Sequence, residues 1–146
     1  VNLDELKAAV ESARRFSHKV LLYAEPPPKD DAPDTRLPTG SRTFQLRMPT
    51  SHEVKMAYAR ARTGTDDHLA AFFQSQREIA ERSVTGWTEV DETDLVPDGA
   101  NAPMAFDASL VPLIFDAHSD WQTSISEAID KRIAEREGKQ EAAAKN

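Results

Sequence analysis

Thr43-Phe44-Gln45-Leu46-Arg47-Met48-Pro49-Thr50-Ser51-His52-Glu53 changes its period in the middle, and the fold turns on that change. Residues 43–48 alternate strictly, placing Phe44, Leu46 and Met48 on one face and polar groups on the other, which is the pattern of a half-buried strand. Pro49 stops it. Thr50 can then accept from exposed backbone N–H groups of a new helix, and Glu53, three residues on, can reach back to close a capping box. The helix should run to about Thr63 with Val54, Ala57, Tyr58 and Ala61 on its buried side, and Gly64 suits the left-handed residue beyond its end. Thr65 is placed to cap the next helix, with Asp66 and Asp67 against its positive end. Leu69, Phe72, Phe73, Gln76, Ile79, Ala80 and Ser83 continue at spacings of three and four, so residues 51–84 read as a helical hairpin.

Working back from the strand, residues 25–42 hold five of the nine prolines and three aspartates with little to bury, a long and mobile loop by composition. Before it, Lys19-Val20-Leu21-Leu22-Tyr23-Ala24 is a β-branched and aromatic run, ended by prolines that cannot donate to a ladder. The two strands suggest a small antiparallel hairpin. Residues 3–16 carry Leu3, Leu6, Val10, Ala13 and Phe16 on one helical face, so a short amphipathic helix opens the sequence. Working forward, residues 86–105 fit no regular element, and Val96-Pro97-Asp98-Gly99 is turn chemistry. Ser109 caps an apolar helix in which Pro112 is tolerated because it falls in the first turn. Trp121, Ile125, Ile129 and Ile133 recur every four residues on a last helix. Beyond Arg136 nothing apolar exceeds Ala, and residues 137–146 should fray. The expected fold is mainly α with a small N-terminal β-hairpin, an α+β arrangement in one domain over residues 1–136.

Length supports one core: 146 residues, 39% of them apolar and 29% charged, are ordinary for a globular domain. No apolar run could span a membrane, and Val1-Asn2-Leu3-Asp4-Glu5 lacks the order of a signal peptide. The absence of cysteine removes disulfides, thiolate metal sites and thiol nucleophiles. A net charge of −7 argues against a dedicated nucleic-acid binder. The charge is unevenly placed. Residues 36–62 hold six basic side chains against Glu53 alone, while residues 83–120 hold eight acids and no Lys or Arg, two blocks that can attract within the fold or face different partners.

Catalytic and metal patterns are weak. His18, His52, His68 and His118 are not spaced to share a helix face, and Asp116, His118 and Asp120 are the strongest local ligand set, with a solvated loop the simpler reading. There is no G-x-S-x-G elbow and no phosphate-cradling glycine loop. We therefore expect no catalytic residues, no metal and no cofactor. Trp87, Trp121 and the stripe Ile125, Ile129 and Ile133 read either as core or as anchors for another protein.

The motif order resembles something specific. Two strands lead into Leu46-Arg47-Met48-Pro49-Thr50 and a capped helix with Tyr58; a second helix closes on Val84-Thr85-Gly86-Trp87; an Asp98-Gly99 turn, Pro103-Met104-Ala105-Phe106 with an apolar helix, and a helix opening at Trp121 follow. Over roughly residues 17–135 this is similar to the tail assembly chaperones of long-tailed bacteriophages. The proline-rich segment at 25–42 and the long acidic stretch after Trp87 depart from that pattern. The resemblance implies a small, mostly helical, non-catalytic protein of the host cytoplasm that binds the tape-measure protein, keeps its apolar helices soluble and helps recruit tail-tube protein. It also implies a longer frameshifted product, for which Gly138-Lys139 and Ala144-Lys145-Asn146 are compatible with slippery codons. The client surface expected is the Phe72/Phe73 face together with Trp87, Trp121, Ile125, Ile129 and Ile133. The rival reading is a virion component such as a head–tail adaptor or tail-completion protein, whose opposite charge blocks would lock neighbouring copies in a ring; a third is a host-directed inhibitor with a nucleic-acid-like acidic face. A homo-oligomer is compatible with the first two.

Overall fold

In a computed structural model, which describes residues 2–145, the chain forms α1 (Leu3–Ala13), β1 (Arg15–Leu22), β2 (Gly40–Arg47), α2 (Ser51–Gly64), α3 (His68–Ser83), β3 (Val84–Thr88), α4 (Val111–Ala117) and α5 (Ser119–Lys145), with 3₁₀ turns at Glu92–Asp94 and Ala108–Leu110. The class is α+β: a three-stranded antiparallel sheet of order β1-β2-β3 packed against helices.

The first strand starts earlier than its apolar run. Phe16, His18, Val20 and Leu22 alternate inward, and that period of two takes Phe16 away from the helix it could have continued. α1 ends instead at Ala13, where the Arg14 guanidinium donates to the Met48 carbonyl at 2.8 Å and to Glu53 at 2.9 Å. β1 pairs with β2 so that Phe16 lies opposite Leu46 and His18 opposite Phe44. The intervening segment is tied down by Arg36, which bonds Asp34 and the Glu25 carbonyl and lies 3.9 Å over the Tyr23 ring.

Phe44, Leu46 and Met48 are buried, as their alternation predicts. The capping box also forms: the Glu53 N–H donates to Thr50 Oγ1 at 3.1 Å and the Thr50 N–H to Glu53 Oε1 at 3.0 Å. The end of α2 differs from expectation. Gly64 stays helical with no positive φ, because Arg62 reaches over the corner to the Asp66 carbonyl at 2.9 Å and Thr65 extends the chain directly. Asp67, not Thr65, caps α3, since its carboxylate accepts from both the Leu69 and Ala70 N–H groups.

Residues 84–88 form a strand, where Val84 was expected to end the helical hairpin and no regular element was expected from residue 86 onward. β3 follows α3 without a connecting loop and pairs with β2, Trp87 opposite Phe44, with Thr85 as the extra residue of a bulge. Gly86 lies against Gln45, whose Cγ would be 3.4 Å from any added Cβ. α4 is likewise led in by a 3₁₀ turn capped by Asp107 in place of Ser109, with Pro112 in its first turn as predicted.

Phe44 centres the core, edge-on to Trp87 at 6.3 Å and to Trp121 at 6.1 Å. Leu46, Val90, Val111, Ile114, Phe115, Ile125 and Ile129 belong to the same cluster. α5 is helical throughout residues 137–145, where its side chains are exposed, and Arg136 fastens it to the Pro49 carbonyl at 2.9 Å. Among the described residues the two charge blocks meet only at Arg42, bidentate on Asp94 at 2.8 and 3.2 Å and 3.8 Å from Asp91.

Candidate functional site

The hairpin packs through small side chains. Ala57 and Ala61 of α2 and Ala71, Ser75, Ala80 and Ser83 of α3 are the buried positions, while Leu69, Phe72 and Phe73 of α3 face outward. Phe72 and Phe73 sit in edge-to-face contact, 5.8 Å between centroids, while remaining 46% and 59% exposed; Leu69 beside them is also exposed. Leu69, Phe72 and Phe73, at spacings of three and four, form one exposed apolar group on α3.

Phe72 borders a groove where α2, α3 and α5 meet, a cavity of about 190 Å³ lined by Val54, Tyr58, Ile79, Ile129 and Ile133 with Ser75, Gln76, Ser126 and Asp130. Its hydroxyls are satisfied internally: Ser75 donates to the Phe72 carbonyl at 2.8 Å, and Ser126 accepts from Gln122 at 2.8 Å. Asp130 supplies the only formal charge of the lining and accepts from Gln76 at 3.0 Å. Burial, together with nearby Glu127, pushes its carboxyl above the usual range. The arrangement offers an apolar seat with one anionic edge, suited to another polypeptide's side chains.

Of the residues expected to touch a partner, the structure brings Phe72, Phe73 and the half-buried Ile133 to this surface. Trp87, Trp121, Ile125 and Ile129 are buried in the core, where no partner reaches them while the fold is intact, Ile129 showing only an edge to the floor of the groove. The Trp87 indole N–H donates to the Met104 carbonyl at 2.8 Å, and Trp121 is stacked by the His118 ring at 3.9 Å. The four-residue spacing of Trp121, Ile125 and Ile129 in α5 is a core stripe, which becomes half-buried at Ile133. Val54, Tyr58 and Asp130 were missed as a group because they meet only through tertiary packing.

Asp116, His118 and Asp120, the strongest local ligand set in the sequence, do not converge. Asp116 pairs with Arg77 at 2.8 Å, His118 Nε2 bonds the Asp94 carbonyl at 2.7 Å, and Asp120 is exposed in the first turn of α5. No group of three metal-ligating side chains occurs among the described residues. A Ser–His contact does exist, His18 Nε2 to Ser124 Oγ at 2.8 Å. It joins β1 to α5 beside Glu127, Lys131 and Arg132. Burial holds the His18 imidazole below its ordinary pKa, with Glu127 opposing, and the contact acts as a clamp between sheet and helix. Among the described residues no helix is long and apolar enough to cross a membrane. No family model, curated protein or solved structure matches the chain.

Proposed function

We propose that the chain is a non-catalytic tail assembly chaperone of a long-tailed bacteriophage, holding apolar helices of the tape-measure protein in solution while tail-tube subunits are recruited. The resemblance in motif order set out above supports this reading. The observation that carries the reading is the exposed Phe72/Phe73 pair at the mouth of an apolar groove on the α2–α3 hairpin. An amphipathic client helix could lay its apolar face on this surface and keep its polar face in water. The net charge of −7 keeps holder and client dispersed.

The test is co-expression with the neighbouring tape-measure gene. Phe72→Asp and Phe73→Asp should each leave the chaperone folded and soluble, because both side chains are exposed, yet shift the client to the insoluble fraction. Unchanged client solubility in the double variant refutes the assignment. Purified virions should lack the protein; finding it there in fixed copy number identifies a structural component instead.

A further inference from the structure

The opening helix presents a second apolar surface. α1 has eleven residues and no buried side chain. Isolated helices of this length are marginal in water. Asn2 caps its start, and its last turn is fixed by Glu11, which receives Arg47 at 2.9 and 3.1 Å and Arg14 at 3.2 Å. Its first turns carry Leu3, Leu6 and Val10 on one face, 65%, 54% and 53% exposed. Lys7, four residues after Leu3 and three before Val10, flanks that stripe.

We propose that the Leu3–Leu6–Val10 stripe of α1 seats in the α2–α3–α5 groove of a second copy of this chain, with Lys7 beside Asp130. The two surfaces are complementary in kind. The stripe is aliphatic with one flanking cation; the groove is apolar with one anion and no basic residue in its lining. Among the described residues, none of the ion pairs within the chain uses Lys7 or Asp130. A cavity of about 190 Å³ has room for a branched aliphatic side chain, an apolar cavity of roughly 150 Å³ being large enough to admit benzene. The contact joins different patches on the two copies, so it closes by reciprocal exchange of α1 or continues head to tail.

Light scattering behind a sizing column, run on the full chain over a range of concentrations with no client present, tests this. The wild type should show a mass of two or more chains. Lys7→Glu and Asp130→Lys should each raise the concentration of half-assembly by about tenfold or more, and the double charge swap should restore assembly. Leu6→Ser should weaken it without changing the near-ultraviolet circular dichroism of the core tryptophans, since Leu6 is exposed and outside that core. A monomeric wild type overturns the inference, as does assembly that ignores either charge reversal or a swap that fails to restore it. Because no client enters the experiment, its failure is distinct from failure of the chaperone reading.

Discussion

His18 shows how one half-buried side chain sets a pH response. Its folded-state pKa lies below the unfolded value of about 6.5, so the unfolded chain takes up the proton first and stability falls as pH drops through that region. Urea midpoints should decrease from pH 7 to pH 5, and His18→Gln should flatten that part of the curve; an unchanged slope would place the titration elsewhere. Glu53 acts in the same direction lower down. Its hydrogen bond from the Thr50 backbone, with Thr50 Oγ1 and Arg14 also favouring the carboxylate, holds its pKa below the ordinary glutamate value. The stability it adds is complete above that value and is lost as the carboxylate protonates. Phe44 is fully buried between both indoles, and Phe44→Ala should cost about 3–5 kcal/mol by chemical denaturation.

At the scale of elements, the capping box at the start of α2 is a local device, and its effect should be local in size. Thr50→Ala should lower stability by about 1 kcal/mol, measurable as a drop of about 3 °C in thermal midpoint. That box and the preceding strand were legible because both rest on neighbours in sequence. β3 was not: five residues interrupted by Gly86 become a strand only through pairing with β2, some forty positions away. Phe16 satisfied two periods at once, and pairing opposite Leu46 decided for the strand. On α3 the reading placed Phe72 and Phe73 on the same apolar face as Ala80 and Ser83, whereas the structure turns both rings outward and buries Ala80 and Ser83. Spacings of three and four cannot show that the small side chains of Ala71 and Ser75 are buried while the larger rings beside them stay exposed. The site was therefore half visible: its aromatic rim could be named, while its floor is assembled from three helices.

For the molecule as a whole, client and neighbour would compete for one groove. A client helix added in trans should lower the mass of the assembled form, read by the same light scattering, and Phe72→Asp should make that change require more client. An assembly indifferent to saturating client would separate the two surfaces. The division between a dry core and an aromatic outer face has a practical consequence. Both tryptophans of the chain lie inside, against Phe44, whereas the proposed contact residues are phenylalanines. Ultraviolet excitation selective for indole thus gives a label-free optical gauge of folding that is silent on the exposed rings. A variant that loses its client yet keeps its emission maximum has been disarmed without being unfolded.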